Sequence, residues 1–189
     1  MQVLLSRDDL IRGIKELAVR ANTKGIAADI YVVGGAALAL KYFDRDATVD
    51  VDARARQWDL LQPIVEEIAK DFDWAPNWFN VKAALLVPTL GKDAEWILIH
   101  SNGEINVFVA SAEVLLMMKL AASRRGRDYR DAELLMATTG ITNLQELEDL
   151  FSTYFPGDVL PSKALRMLEE ILSRDISLPP TPPPEPVFG

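Results

Sequence analysis

Apolar residues recur along this chain with two periods, and each change of period marks an element. Leu10, Ile11, Ile14, Leu17 and Ala18 repeat at the spacing of one helix face, which predicts an amphipathic helix over residues 7–23. Ser6 stands where an N-cap belongs, Asp8 and Asp9 fall in the dipole-favoured first turn, and Lys24-Gly25 closes the helix. Asp29 to Val33 then reads as a buried strand, Ala36 to Tyr42 as a helix, and Thr48 to Ala53 as a second strand. The helical period returns from Gln57 to Phe72, with Leu60, Leu61, Ile64, Ile68 and Phe72 on one face.

Residues 73–80 form a turn-rich aromatic segment around Pro76. Strands are predicted at Ala83 to Pro88, Glu95 to His100 and Glu104 to Val109, with Asn102-Gly103 as a hairpin signal between the last two. Helices follow over 111–123, 128–137, 143–154 and 161–174, the third opened by an Asn143/Glu146 capping box. The order predicts an α+β fold: a small mixed sheet with flanking helices and a C-terminal helical section. One domain is expected over residues 1–176, with a core at about 25–137 and C-terminal helices over 142–175. Residues 177–189, with six prolines in the last twelve positions, are expected to be an extended, disordered tail.

Composition narrows the classes. The chain has 189 residues, 49% hydrophobic and 25% charged, an ordinary globular balance. Apolar runs such as Val114 to Met118 fall far short of a membrane span, and the first residues reach charge too early for a secretory leader. Without cysteine there is neither a disulfide framework nor a thiolate nucleophile, so a cytoplasmic location is the expectation. A net charge of −8 argues against a dedicated nucleic-acid binder. Lys119, Arg124, Arg125, Arg127 and Arg130 are a local exception: a basic patch for a nucleotide or an RNA end, or a solvated helix corner.

The candidate chemistry lies in residues 31–53, YVVGGAALALKYFDRDATVDVDA. Asp50 and Asp52 are two apart on a predicted strand and therefore project from the same side. Two hard oxygen donors near a glycine turn suit a divalent cation, Mg2+ above all, held beside a phosphate chain. Gly34 and Gly35 would let a triphosphate approach the backbone, or else simply make a tight strand-to-helix turn. His100, the single histidine, reads as structural. The tryptophans Trp58, Trp74, Trp78 and Trp96 read as core, with Trp78 also placed to stack a base.

A strand, Gly-Gly, a short helix, then Arg45, Thr48, Asp50 and Asp52 resemble the pattern of minimal nucleotidyltransferase-fold proteins. The pattern is similar to that of the abortive-infection (AbiEii-like) toxin type and its small prokaryotic relatives. The segment LLMMKLAASRRGRDYRDAELL, residues 115–135, resembles their downstream motif: Lys119, then Arg127-Asp128-Tyr129-Arg130-Asp131 opening the next helix. WAPNWFN, residues 74–80, is also similar to the small relatives.

The resemblance implies a nucleoside triphosphate as substrate, one or two Mg2+ ions on Asp50 and Asp52, and nucleotide contacts from Gly34, Gly35, Arg45, Thr48, Lys119 and Arg127. Asp131 would orient substrate or metal, or pair with Arg127 along the helix. The acceptor would be a hydroxyl of tRNA or of a protein, and the chain the toxin of a toxin–antitoxin pair with an antitoxin partner. Active members of this fold usually add a third acid from a neighbouring strand. Here the strand at 105–109 carries Asn106, Asn80 is followed by Val81 where the resemblance implies an Asp, and Glu95 and Glu104 sit near strand ends. A reduced member that binds nucleotide or a partner without turnover is the alternative reading, and a plain interaction protein a third.

Overall fold

The computed structural model of the chain describes residues 4–45, 47–123, 128–174 and 178–188. The fold is α+β, with a five-stranded mixed sheet and helices that dominate the second half. The chain groups into two compact units. One comprises residues 1–85, 96–110 and 181–189; the other comprises 86–95 and 111–180.

The first unit holds the whole sheet, in the order β3-β2-β1-β5-β4. Its strands are β1 (Ala28–Val33), β2 (Val51–Ala55), β3 (Phe79–Asn80), β4 (Trp96–Asn102) and β5 (Ile105–Ala110). β1 runs antiparallel to β2 and parallel to β5, β2 runs parallel to β3, and β4 and β5 form the hairpin around Gly103. One face is dry: Ile30, Val32, Ala53, Val107 and Val109 are fully buried. The helix α1 (Arg7–Thr23) packs against β4, β5 and the helix α3 (Trp58–Asp71), burying Leu10, Ile14, Leu17 and Ala18. Its capping box joins Ser6 and Asp9, so two otherwise unpaired N–H groups are satisfied by a four-residue signal. Trp78 is core: its Nε1 donates to the Val65 carbonyl at 3.0 Å, and it meets Trp74 and Phe79 edge-on.

Three predicted elements differ. The strand expected at Thr48 to Ala53 begins only at Val51 and runs to Ala55. Thr48 is instead held by paired backbone hydrogen bonds to Leu5, of 2.7 and 2.9 Å. Of residues 83–88, expected as a strand, 83–86 lie in a 3-10 helix at Lys82–Leu86; Leu85 is exposed, so the apolar run lacks the buried face that would pair it. The helix expected at 36–42 is the short α2 (Gly34–Ala37), entered directly from β1, followed by a π-turn at Leu38–Tyr42. Leu60, placed on the buried face of α3, is exposed.

Residues 178–188 form no helix or strand. Arg7 donates to the Pro184 carbonyl, Lys41 pairs with Glu185, and the buried Phe188 ring lies 4.6 Å from His100.

The second unit is built on α4 (Ala112–Ala122), α5 (Tyr129–Thr139), α6 (Leu144–Tyr154) and α7 (Ser162–Leu172). α4 is apolar nearly all round and packs against both α5 and α6. Glu113 accepts from Lys92 at 2.6 Å and from the Tyr154 hydroxyl, tying residues 86–95 to two helices. Among the described residues, no helix is long and apolar enough to cross a membrane.

Candidate functional site

β1 delivers the chain to Gly34, which turns it with φ +65° and starts α2. That conformation favours glycine, and space demands it as well. A Cβ on Gly34 would lie 3.2 Å from Asp52 Oδ2, and one on Gly35 would lie 2.8 Å from Thr48 Oγ1 and 3.7 Å from the Arg45 guanidinium carbon. The glycine turn is therefore pressed against the carboxylate, the hydroxyl and the guanidinium. The fold thus brings Gly34, Gly35, Arg45, Thr48 and Asp52 into one cluster within the first unit.

Asp50 joins it through Asn80. β3 lies beside β2 with Asn80 opposite Asp52. From that position the Asn80 amide donates to Asp50 Oδ2 at 3.0 Å, while its Oδ1 accepts from the Lys82 backbone N–H at 3.0 Å. Asp50 immediately precedes β2, and Asn80, level with Asp52, links the two acids. The Thr48 hydroxyl donates to the Asp50 carbonyl at 3.3 Å, bracing the approach to β2. Asp50 and Asp52 are half-buried, and Thr48 and Asn80 are buried.

Asn80 is the participant that residue spacing does not assign. Its role depends on the parallel alignment of β3 with β2, whereas the sequence reads residues 73–80 as a turn-rich segment and the resemblance sets an acid at position 81. Asn106, the other candidate position for a third acid, lies opposite Asp29, at the end of β1 away from the glycine turn. Among the described residues there is no group of three or more His, Cys, Asp or Glu placed to hold a metal. The donor set is thus two carboxylates, one of them oriented by an amide. Mg2+ is commonly held by one or two carboxylates, with water and phosphate oxygens completing its shell.

The second unit gathers the downstream motif. Lys119 Nζ donates to Asp128 Oδ1 and Asp131 Oδ2, both at 2.7 Å, with the three side chains only 15%, 5% and 7% exposed. Asp128 stands at the N-cap of α5 but makes no capping bond, its carboxylate being turned to Lys119. Asp131 accepts from Lys119, the partner that spacing along one helix does not offer. Two of the ammonium's three donors are used here. Arg127, together with Arg124 and Arg125 of the basic patch, lies outside the described residues.

The model of one protein family, described as "Nucleotidyltransferase of unknown function (DUF6036)", matches residues 9–169. No curated protein and no solved structure matches the chain.

Proposed function

The chain belongs to this nucleotidyltransferase family, and from that premise we propose that it transfers a nucleoside monophosphate from a nucleoside triphosphate to a hydroxyl acceptor, with Mg2+ held by Asp50 and Asp52. The observation that carries this reading is Asp52 set against the glycine turn that ends β1, with Asp50 bonded to Asn80, the residue opposite Asp52. Asn80 fixes the rotamer of Asp50 through Oδ2, and Oδ1 makes no hydrogen bond among the described residues. When bound, Mg2+ neutralises phosphate charge and acidifies an attacking hydroxyl. Gly34 and Gly35 keep side chains out of the space a phosphate chain needs, and the Arg45 guanidinium beside Gly35 supplies positive charge to it. The bond from the α-phosphorus to pyrophosphate is exchanged for one to the acceptor oxygen, and the hydroxyl proton passes to water.

The test is calorimetric titration of ATP, CTP, GTP and UTP into the protein, with and without Mg2+, alongside pyrophosphate release. Wild type is expected to bind at least one of them only with Mg2+. Asp50→Asn with Asp52→Asn is expected to abolish that binding without changing the melting profile. Unchanged binding in the double variant would sink the metal assignment.

A second reading, nucleotide binding without turnover, is favoured by one observation: the position beside Asp52 on β3 is an amide rather than an acid. It predicts Mg2+-dependent binding with no pyrophosphate. The toxin role implied by resemblance is tested by expression in a bacterial host: growth arrest that the double variant relieves supports it, and growth unaffected by wild type refutes it.

A further inference from the structure

The register of the sheet decides what shares a face with Asp52. Asp52 lies opposite Val33, Arg54 opposite Tyr31, Tyr31 opposite Phe108, and Asp29 opposite Asn106. Residues opposite one another project to the same side, so these side chains form a track across β2, β1 and β5. The reverse face is dry, whereas on this one Tyr31 and Phe108 are half-buried and Arg54 is exposed. The track belongs wholly to the first unit.

Three features stand along it. First, the rings of Tyr31 and Phe108 lie nearly parallel, at 14° and 5.0 Å between centroids, with Trp96 tilted against Tyr31 at 4.8 Å. Second, an open cavity of about 570 Å3 is lined by Asp29, Arg56, Gln57, Glu104 and Asn106. Gln57 at this cavity has φ +56°, a backbone conformation a non-glycine residue seldom adopts. Third, a relay across three strands sets the cavity's hydrogen-bonding pattern. The Ser101 hydroxyl donates to Asn106 Oδ1 at 2.8 Å, and Asn106 Nδ2 donates to Asp29 Oδ1 at 3.0 Å. The second amide hydrogen of Asn106 and Asp29 Oδ2 make no hydrogen bond among the described residues. They present a donor beside an acceptor, the complement of a nucleobase edge. Arg54 and Arg56 make no ion pair among the described residues.

We propose that this face is the acceptor site, and that it takes an unpaired nucleic-acid strand, one base stacked on the Tyr31–Phe108 pair and a neighbouring base read by Asp29 and Asn106 in the cavity. The proposal rests on the nucleotidyl-transfer reading and names its acceptor class. Aromatic rings on adjacent strands of an open sheet stack two or three bases in other RNA-binding modules, whatever their sequence. From Val33, beside Asp52, to Asp29 is four residues of β1, about 13 Å at strand rise. That distance accommodates a strand whose end lies at the carboxylates and whose next bases lie on the rings and in the cavity. A peptide acceptor would be expected to add to a sheet edge through backbone hydrogen bonds rather than to lie on a ring-bearing face. Arg54 and Arg56 supply phosphate contacts on a chain that is acidic overall, so binding is weak and specific to unpaired strands.

The experiment is fluorescence anisotropy of labelled five-nucleotide RNAs, their abasic counterparts and a duplex, titrated with the full chain in EDTA and at several salt concentrations. Expected is binding of the unpaired RNA, about tenfold weaker for the abasic strand, with a log–log salt slope of about −1.4 for two phosphate contacts. Tyr31→Leu with Phe108→Leu, which keeps apolar volume and removes the stack, is expected to weaken RNA binding about tenfold or more. Mg2+-dependent nucleotide binding in that variant should be unchanged, which also shows that it is folded. Asn106→Ala should alter base preference alone. Nucleotide binding by wild type with no RNA binding, equal binding of abasic strands, or transfer of label from nucleotide to protein but not RNA would each overturn the proposal and leave the nucleotidyl-transfer reading standing. RNA bound in EDTA by the Asp50/Asp52 double variant supports the track even if the metal assignment fails.

Discussion

Replacing Gly35 by alanine probes the glycine turn with an effect whose sign depends on a second residue. The new Cβ would stand 2.8 Å from Thr48 Oγ1, closer than packed atoms tolerate. Thr48 cannot retreat easily, because its N–H and carbonyl are both bonded to Leu5 and its hydroxyl to Asp50. Overpacking of this kind costs about 1–3 kcal/mol. Alanine is also the better helix residue, returning about 0.5–1 kcal/mol within α2. Gly35→Ala alone is therefore expected to destabilise by about 0–2.5 kcal/mol, the difference of those two ranges. In a Thr48→Ala background the clashing oxygen is gone, and the remaining neighbours, the Cβ at position 48 and the Arg45 guanidinium carbon, stand at an ordinary 3.5 and 3.7 Å. There the same substitution should stabilise by about 0.5–1 kcal/mol. The check is a double-mutant cycle by urea unfolding, with a coupling of about 1–3 kcal/mol expected between the two sites. Additivity within about 0.5 kcal/mol would refute the packing argument.

Two further outcomes are expected in the second unit. Lys119→Met removes the cation that the buried Asp128 and Asp131 share and should destabilise by up to about 3–5 kcal/mol. Lys119→Met with Asp128→Asn and Asp131→Asn should recover part of that loss in the same unfolding assay; no recovery would show that the ammonium matters for another reason. Burial alone would push the Glu113 carboxyl up, but hydrogen bonds from Lys92 and Tyr154 outweigh it and hold the group below its ordinary 4.5. Its contribution is then fully present above pH 4.5 and lost as pH falls through the lower folded value. Thermal melts of wild type and Glu113→Gln should accordingly converge in acid; a constant gap down to the acid limit would contradict this.

What the sequence made legible was whatever is decided locally. Helix α1 begins and ends where the Ser6–Asp9 box and Lys24-Gly25 place it, and the β4–β5 hairpin turns at Gly103. The two carboxylates and the glycine turn could be singled out because spacing of two on a strand and paired glycines are local signals. What is settled by pairing between distant segments was not legible. The late start of β2 follows from the bridge between Leu5 and Thr48, and the role of Asn80 follows from β3 lying beside β2. The aromatic track required knowing that β1 meets β5 in one register, since a slip of one residue would send Phe108 to the dry face. Trp96, read from sequence as core, lies against Tyr31 on that track.

The threading of the chain through its two units has a consequence for synthesis. β1 is complete at residue 33, yet its parallel partner lies 77 positions further on, Ala28 pairing with Ile105. Between them the chain leaves the first unit for residues 86–95 and returns at Trp96. A ribosome therefore produces β1, the glycine turn and both aspartates well before β5 exists, leaving one side of β1 unpaired for several seconds at ordinary elongation rates. Non-local pairing of this sort slows folding and leaves an edge open to wrong partners. A nascent chain stopped just short of residue 105 should accordingly be protease-sensitive in residues 28–55, and one extended past residue 110 by the length of the exit tunnel should not.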